Sequence, residues 1–249
     1  MLFDLSGNVA VVTGAGQGVG AGIARLLATQ GAKVAVNDLH LDRAAATADA
    51  INVAGGTAIA VEFDVADWGG VQAGFAAIEA ALGPIDILVN NAGVPETMGL
   101  MQFRDSTPQD WRDCIDVNLY GVMHCSRAVI NGMRDRGFGR IITISSGAGT
   151  SGLGLGVSAY GAGKGGGISF MRHLALENAK VGVTANSVAL GLMQGPAEPA
   201  ATASIAKTIP VRRLGTPEDV GAICVYLASA EAGWLTGQTI ELNGGSTTS

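Results

Sequence analysis

Tyr160 and Lys164 are the residues of this sequence whose types and spacing suggest chemistry most directly. Side chains four residues apart share one face of a helix, so a phenol and an ammonium can point into the same crevice. A phenol of pKa about 10 is a poor base near neutrality, but a cation within about 4–6 Å lowers that pKa by roughly 1–3 units. The pair therefore suits proton transfer, although a Tyr and a Lys at this spacing are more often surface neighbours.

A glycine-rich turn near the start of the chain is suited to hold a dinucleotide. Residues 13–20 read TGAGQGVG, follow a Val-rich run and lead directly into a helical pattern. Glycine lets backbone N–H groups reach a pyrophosphate, and the helix N-terminus favours its negative charge. Asp38 ends the second strand, 18 residues after Gly20, where its carboxylate could accept hydrogen bonds from an adenosine ribose. The alternative is that Asp38 caps the next helix.

Short runs rich in Val and Ile alternate along the chain with longer stretches of helical period, which is typical of a parallel sheet covered by helices. We predict one α/β domain over residues 1–249, a Rossmann-type doubly wound sheet of about seven parallel strands with its ligand crevice at their carboxyl ends. The predicted strands are 8–13, 33–38, 57–63, 85–89, 139–145, 183–188 and 238–242, and the predicted helices lie near 18–30, 41–54, 67–82, 107–136, 158–180 and 217–229.

The longest segment without a regular pattern is 189–216. Loops of that length in a compact domain are usually lids or binding loops, so we expect a substrate lid here. The alternative is a surface insertion with no role in the site.

Further motifs follow in a fixed order. They are Asn90-Asn91-Ala92-Gly93 after the fourth strand, Asn118 within a helix, Ser145-Ser146 after the fifth strand, Tyr160 with Lys164, and the closing Gly237-Gln238 and Asn243-Gly244-Gly245. Together with the glycine-rich turn, this set resembles the short-chain dehydrogenase/reductase family, in its 3-oxoacyl reductase-like branch, over almost the whole chain. The resemblance implies an oxidoreductase that moves a hydride between NAD and an alcohol or carbonyl carbon.

The resemblance also implies roles for the matching residues. Tyr160 would be the catalytic acid/base, Lys164 its electrostatic partner, Ser146 the hydroxyl that orients the substrate, and Asn118 the anchor of a water relay. Gly14, Gly18 and Gly20 would line the pyrophosphate, Asp38 the ribose, and Asp64-Val65 the adenine edge. Further positions along the NAD site would be Gln17, Val19, Leu39, Asn90, Asn91, Ala92, Gly93, Tyr160, Lys164 and Gly191.

Three departures from the family pattern stand out. Ser146 and Tyr160 are 14 positions apart, one more than expected, so we place an extra residue in the loop 147–156 and keep Ser145 as a weaker candidate for the hydroxyl. Leu190-Gly191 replaces a Pro-Gly pair. Gly195 stands where a threonine is expected, which puts a side-chain contact to the nicotinamide carboxamide in doubt.

The residues around Asp38 predict NAD as the cofactor. A free 2′-hydroxyl can donate to this carboxylate, whereas the 2′-phosphate of NADP would bring about two negative charges against it. Gln17 and Leu39 stand where an NADP site would carry Arg or Lys. Arg43 is the nearest cation, and we expect it a full turn into the next helix.

The expected substrate is a small hydrophobic ketone or secondary alcohol, because the predicted pocket wall is apolar with Glu96 as its only charge. Two alternatives are a non-catalytic dinucleotide-binding regulator, which the presence of Tyr160 and Lys164 disfavours, and an NAD-dependent epimerase or dehydratase, which the closing segment 214–245 disfavours. The predicted wall consists of Val94, Pro95, Met98, Leu153, Leu155, Val157, Leu192 and Met193.

Composition narrows the remaining classes. The formal charge of -6 comes without a Lys/Arg cluster, which argues against a nucleic-acid partner. The chain starts without a basic leader and holds no stretch of about 18 apolar residues, so we expect a soluble cytoplasmic enzyme with no membrane partner. Cys114, Cys125 and Cys224 fit buried free thiols, and neither they nor the three histidines form a metal motif.

The predicted helix 158–180 contains five glycines between 161 and 167, each costing about 1 kcal/mol against alanine in a helix interior. We expect close helix packing on this face, at a subunit interface as the resemblance implies, within a homotetramer. The alternative is that these glycines reflect a drift in amino-acid composition and mark no contact.

Overall fold

The computed structural model describes residues 2–95, 98–195 and 199–248. Its seven strands form one sheet in which every neighbouring pair is parallel. The strands are β1 (Val9–Val12), β2 (Lys33–Asp38), β3 (Thr57–Glu62), β4 (Ile87–Asn90), β5 (Gly139–Ser146), β6 (Val183–Leu190) and β7 (Thr239–Leu242). Their order across the sheet is β3-β2-β1-β4-β5-β6-β7, which confirms the predicted fold class.

Helices cover both faces of the sheet, and the strands are therefore apolar along their length instead of alternating. Every residue of β1 and β4 is buried. One core cluster lies on each face, the first around Val12 and Ile23, the second around Val11, Ile78 and Leu88. The α-helices are α1 (Gly18–Thr29), α2 (Leu41–Val53), α3 (Trp68–Leu82), α4 (Pro108–Ile115), α5 (Gly121–Arg136), α6 (Gly147–Thr150), α7 (Ser158–Asn178), α8 (Pro199–Ala206) and α9 (Pro217–Ala228).

The chain reverses direction across the sheet between β1 and β4. It first runs outward from β1 to β2 and β3, and then returns to place β4 on the other side of β1. The connections that follow β1 and β4 run toward opposite edges of the sheet, which opens a crevice at the carboxyl ends of the strands. The fold therefore puts a ligand site where the glycine-rich turn lies.

The predicted helix 107–136 is interrupted. A π-helical turn, Asp116–Tyr120, separates α4 from α5. Within it, the Asn118 side chain donates its Nδ2–H to the Cys114 carbonyl at 2.9 Å. Turns of this kind interrupt α-helices most often at functional sites, and this one places Asn118 in the buried interior.

The segment 189–216 is more regular than predicted. Strand β6 continues to Leu190, and α8 lies within the segment. The two ends of the segment pair with each other, since Gln194 N–H donates to the Gly215 carbonyl at 2.8 Å and Gly215 N–H donates to Leu192 at 3.0 Å. The expectation of an irregular segment is therefore wrong, because its ends are tied by backbone hydrogen bonds.

The glycines of α7 make their close contacts inside the protomer. A Cβ atom on Gly161 would lie 2.7 Å from the Ala148 carbonyl oxygen, and one on Gly163 would lie 2.8 Å from the Asn118 Cβ. The expectation that these glycines mark a subunit interface is wrong for this face, because α6 and the π-helical turn already cover it. The glycines allow α7 to approach both closely.

The three cysteines are free and buried, as predicted. Among the described residues, no cluster of His, Cys, Asp and Glu could hold a metal ion. Within that part of the chain, no helix is both long enough and apolar enough to cross a membrane.

Candidate active site

A cleft of about 520 Å³ lies at the carboxyl ends of the strands. Asp38 ends β2 and Ser146 ends β5, three strand spacings or about 14–15 Å apart across the sheet. The cleft therefore has the length that an extended ligand needs. The predicted residues that line it are Gly14, Gln17, Gly18, Val19, Gly20, Asp38, Leu39, Asp64, Val65, Asn91, Ala92, Gly93, Ser146, Tyr160, Lys164 and Gly191.

The glycines of the β1–α1 turn fit a phosphate cradle. Gly14 has a φ of 59°, and a Cβ atom there would lie 2.9 Å from the Ala92 Cα. A Cβ atom on Gly20 would lie 2.4 Å from the Gly14 carbonyl oxygen. Gly18 has a φ of 55° and lines the cleft, with no neighbour within 4 Å of a Cβ atom built on it. The turn thus presents bare backbone at the N-terminus of α1, as a pyrophosphate requires.

Thr13 joins the two strand ends that frame the crevice, a role that the sequence analysis missed. Its Oγ1 accepts hydrogen bonds from the backbone N–H groups of Asn91 at 3.0 Å and Ala92 at 3.1 Å. The Asn91 side chain donates back to the carbonyls of Thr13 and Gly14, both at 2.9 Å. The β1 turn and the segment after β4 are therefore held as one unit. A threonine at the end of a strand was the available signal.

Asp38 is buried, with 7% of its surface exposed, and each carboxylate oxygen accepts one backbone hydrogen bond. Oδ2 accepts from Gly16 N–H at 3.0 Å and Oδ1 from His40 N–H at 3.1 Å. Each oxygen keeps a further lone pair for a ribose hydroxyl. Arg43 lines the same cleft, although the sequence analysis placed it away from the ribose end. The start of α2 packs closely against the glycine-rich turn, since a Cβ atom on Gly16 would lie 2.5 Å from the Arg43 Cβ. This packing brings Arg43 to the cleft.

Ser146 and Tyr160 meet at the end of β5. Burial raises the pKa of the Tyr160 phenol, and a side-chain hydrogen bond with Ser146 lowers it only in part. The Ser146 Oγ also accepts a hydrogen bond from Ala148 N–H at 3.2 Å, which fixes the hydroxyl at the start of α6. The neighbouring Ser145 is buried and donates to the Lys164 carbonyl at 3.3 Å. Its hydroxyl therefore anchors α7 to β5.

Lys164 is buried, and its Nζ donates to the Ile144 carbonyl at 2.8 Å. Burial lowers the pKa of Lys164 to about 8. The Nζ atom lies 5.7 Å from the centre of the Tyr160 ring. The pKa of Tyr160 is raised and not lowered, because burial of the phenol is the largest influence on it.

The side chains of Asn118 and Lys164 both lie next to Gly93. A Cβ atom on Gly93 would lie 2.3 Å from the Lys164 Nζ and 2.9 Å from the Asn118 Oδ1, so a side chain there would displace these two polar groups. The Asn118 Oδ1 is buried and has no hydrogen-bond partner within the described protein. An acceptor in that position is suited to a water molecule. Asn90, in contrast, lies in β4 and donates to Thr143 at 3.3 Å, so the cleft lining starts at Asn91.

The predicted pocket wall is only partly formed. Val94, Pro95, Leu192 and Met193 line the cleft, and a smaller neighbouring cavity takes in Met98 and Val157. Leu153 and Leu155 are 45% and 55% exposed and line neither space, so their assignment to the wall is wrong. Residues 151–155, the part of the loop that contains both leucines, are exposed to solvent. Glu96 lies outside the described residues.

Gly191 lies at the end of β6 against the closing motif of the chain. A Cβ atom on it would lie 2.7 Å from the Asn243 Cα, and its N–H donates to the Leu242 carbonyl at 3.0 Å. This close packing explains why position 191 is a glycine, and the explanation does not depend on a proline before it. Gly195 is exposed and lies outside the cleft lining.

Comparisons with known proteins agree with this arrangement. A family profile described as enoyl-(acyl carrier protein) reductase matches residues 14–247. An acetoacetyl-CoA reductase of Shinella zoogloeoides is 41% identical over 96% of this chain and 98% of its own length. A 3-oxoacyl-(acyl carrier protein) reductase of Escherichia coli is 37% identical over 97% of this chain and 98% of its own length.

Solved structures superpose closely on the whole chain. A short-chain type dehydrogenase/reductase from Mycobacterium marinum has a TM-score of 0.91 at 33% identity, over 100% of this chain and 98% of that one. A Burkholderia cenocepacia gluconate 5-dehydrogenase in complex with NADP and tartrate has a TM-score of 0.90 at 33% identity, covering 99% and 98%. A 7α-hydroxysteroid dehydrogenase complexed with NADH has a TM-score of 0.91 at 31% identity, covering 98% and 95%.

These relatives are reductases and dehydrogenases, which gives no support to the regulator or epimerase alternatives. The match extends over the glycine-rich turn, the strand ends and the closing motif together. The chain thus belongs to the short-chain dehydrogenase/reductase family of oxidoreductases, in its 3-oxoacyl reductase-like branch.

Proposed function

We propose that this protein is an NAD(H)-dependent oxidoreductase that interconverts a ketone and a secondary alcohol. The observation that carries the proposal is the convergence of Ser146, Tyr160 and Lys164 on a glycine-lined cleft. Bound NAD(H) would supply the hydride chemistry, while the chain supplies binding, orientation and proton transfer.

Tyr160 is the proton donor in this proposal. Because burial raises its pKa, the phenol stays protonated near neutral pH and is suited to protonate a carbonyl oxygen. The Ser146 hydroxyl, bonded to that phenol, would hold the same oxygen. The ammonium of Lys164 favours the phenolate that proton transfer leaves behind. The unpartnered Asn118 Oδ1 would accept a hydrogen bond from a water molecule that returns a proton to the site.

The cofactor would lie along the cleft from Asp38 to Tyr160. Backbone N–H groups of the β1–α1 turn would bind the pyrophosphate, and Asp38 would accept from the ribose. The segment after β3 would lie at the adenine, and the segments after β4 and β6 at the nicotinamide half. The residues assigned to these contacts are Gly14, Gln17, Gly18, Val19, Gly20, Asp38, Leu39, Asp64, Val65, Asn91, Ala92, Gly93, Tyr160, Lys164 and Gly191.

NAD is the proposed cofactor because Asp38 is buried and positioned by two backbone hydrogen bonds. A 2′-phosphate there would face a carboxylate that cannot turn away without losing both bonds. Arg43, which lines the cleft, is the cation that could offset such a phosphate in part. The relative affinities for NAD and NADP therefore depend on this pair.

The proposed substrate is a ketone that includes a largely apolar part, as the wall formed by Val94, Pro95, Leu192 and Met193 favours. A 3-oxoacyl thioester is the first candidate, since two relatives are named for acetoacetyl-CoA and 3-oxoacyl carrier protein reduction. Segment 189–216, which is tied by hydrogen bonds near its ends and contributes Leu192 and Met193 to the cleft, is the proposed lid.

A homotetramer is the proposed assembly. Helices α5 and α7 form an outer groove with exposed apolar side chains that include Tyr120 and Met123, 49% and 38% exposed. Arg127, Arg134 and Glu177 border the same groove, so the face carries both charge signs and can complement a second copy of itself.

The test is turnover of NADH with a panel of ketones and 3-oxoacyl-CoA thioesters by the purified protein and by Tyr160→Phe. The turnover of the variant should fall by about 10²–10⁴-fold, while its affinity for NADH stays nearly the same, because the substitution removes only the hydroxyl that transfers the proton. Tyr226→Phe is the matched control, since Tyr226 packs against Phe3 and lies outside the cleft lining. A Tyr160→Phe protein that keeps more than about a tenth of the turnover contradicts the assignment.

A further inference from the structure

A second, smaller cavity of about 110 Å³ adjoins the cleft at Tyr160. Tyr160 lines both spaces and is the only described residue that does so. Cys114, which lines the smaller cavity, is close enough to the Tyr160 phenol to affect its pKa, so both spaces lie beside the phenol. A carbonyl carbon placed there would have two directions in which its substituents can extend. The apolar side chains around the smaller cavity are Met98, Met101, Phe103, Cys114 and Val157.

The lining of this cavity suits an alkyl group and disfavours an anion. Two of its polar members are already engaged, since Ser106 Oγ accepts from Trp111 Nε1 at 2.7 Å and Asp110 accepts from Thr107 N–H at 2.7 Å. The hydrogen bonds from Thr107 lower the pKa of Asp110, so this carboxylate is charged and repels another anion. No Lys or Arg belongs to the described lining.

The size of the cavity limits the alkyl group. A dry protein cavity of about 150 Å³ admits benzene, and a water molecule takes about 30 Å³. A space of about 110 Å³ therefore holds roughly three to four heavy atoms.

Backbone contacts hold the outer wall in place. Met101 N–H donates to the Gly156 carbonyl at 2.9 Å, and a Cβ atom on Gly156 would lie 2.8 Å from the Met101 carbonyl carbon. Phe103 stacks on Trp111 with ring centres 5.2 Å apart. Two segments of the wall are thus packed backbone to backbone, and an aromatic stack supports the third.

The other direction from Tyr160 is open. Val94 and Leu192, which line the cleft on its substrate side, are 71% and 51% exposed. A large polar substituent can leave the site between these two side chains and remain in water.

We propose that the cavity beside Tyr160 selects ketones with one short alkyl arm, of one to about four carbons, and one large arm that leaves past Val94 and Leu192. The inference rests on the proposed function and refines it to short-chain 3-oxoacyl thioesters. Phe103 and Val157 are the specificity-determining side chains in this proposal.

The test is kcat/KM of the purified protein for 3-oxobutanoyl-, 3-oxohexanoyl-, 3-oxooctanoyl- and 3-oxodecanoyl-CoA, whose short arms are methyl, propyl, pentyl and heptyl. Methyl and propyl arms should be accepted, and the heptyl arm should lose at least about tenfold relative to propyl, because a methylene that does not fit costs about 10–200-fold. Phe103→Ala, at a side chain 58% exposed and outside the core, should recover most of that loss.

Val157→Phe should act in the opposite direction and reduce the propyl arm relative to methyl. Leu153→Ala is the matched control, because Leu153 belongs to the same loop and lines neither space. It should leave the chain-length profile unchanged. A profile that is flat from methyl to heptyl, or one that neither variant at 103 or 157 moves, overturns this inference and leaves the proposed function standing. Absence of turnover with every ketone overturns both.

Discussion

Ser145 and Ser146 follow each other at the end of β5, yet different partners hold their hydroxyls. The Ser145 hydroxyl donates to the Lys164 carbonyl and thereby ties α7 to the sheet. The Ser146 hydroxyl bonds to Tyr160 and accepts from Ala148 N–H, so it faces the reacting side of the phenol. Both serines line the cleft, and we propose Ser146 as the one that touches a substrate oxygen because its hydroxyl is the one bonded to the phenol.

Ser146→Ala should therefore reduce turnover far more than Ser145→Ala. The first variant loses a donor at the reacting oxygen, an effect of about 10²–10³ in kcat for comparable donors. The second loses a packing hydrogen bond of about 1 kcal/mol and should lower the melting temperature more than the turnover. Steady-state kinetics and thermal unfolding of both variants check this. Equal losses of turnover, or the reverse order, would contradict the assignment of Ser146.

Asp38 is the residue on which the choice of cofactor depends. We expect the protein to prefer NADH over NADPH by at least about tenfold in kcat/KM, which requires about 1.4 kcal/mol. Asp38→Ser combined with Leu39→Arg should narrow or invert that ratio, because the repulsion is removed and a cation is added. Arg43→Ala should weaken NADPH more than NADH and is the informative control. Similar efficiency with both cofactors in the unaltered protein would contradict the role given to Asp38.

At the scale of elements, the β1–α1 turn combines two glycines with the same backbone conformation and different surroundings. Gly14 is packed against the backbone of Ala92, whereas Gly18 has open space around it. A side chain at the first position disturbs the fold, and a side chain at the second occupies the ligand cleft.

Gly14→Ala should thus lower the free energy of unfolding by more than Gly18→Ala. Both variants carry the strain of a positive φ, about 1–3 kcal/mol, but only the first also collides with a neighbouring strand end. Gly18→Ala should instead show its main effect as weaker NADH binding. Denaturant unfolding and NADH titration of both proteins measure the two quantities. If Gly18→Ala were the less stable protein, the packing assigned to Gly14 would be wrong.

The number of strands and their positions along the chain could be predicted from the sequence because each strand is a Val- and Ile-rich run between turn residues. The ends of all seven predicted strands fall within two residues of those observed. Many residues of the cleft lining could be predicted because they follow strand ends, which the fold gathers along one edge. Tyr160 and Lys164 lie on α7 and Asn118 in the π-helical turn, and the family resemblance supplied their roles.

Other features depend on contacts that a linear pattern does not contain. The π-helical turn at Asp116–Tyr120 contains Asn118, which is bonded to the Cys114 carbonyl, and helical periodicity does not reveal it. The glycines of α7 suggested another subunit, but the partner is α6 of the same chain. The pKa of Tyr160 rises because of burial, which sequence spacing alone does not give.

At the scale of the whole molecule, the proposed tetramer gives a direct expectation. Light scattering at micromolar concentration should report about four times the protomer mass of 25.0 kDa. Met123→Glu places a charge in the groove between α5 and α7 and should shift the protein to smaller species. Val53→Glu, at a side chain 90% exposed on α2, is the control and should leave the mass unchanged. A 25 kDa species for the unaltered protein would contradict the proposal.

The cytoplasmic location of the protein stays a prediction.

The paired ends of segment 191–215 have a consequence for how substrate range can evolve. Because Gln194 and Leu192 are bonded to Gly215, residues added between these ends need not shift the strand ends that hold the cofactor cleft. Doubling the length of a flexible loop costs only about 0.6 kcal/mol in closure entropy. The fold thus separates a part that can vary in length and composition from a part that must stay constant, and new substrates can be accommodated by the first without rebuilding the second.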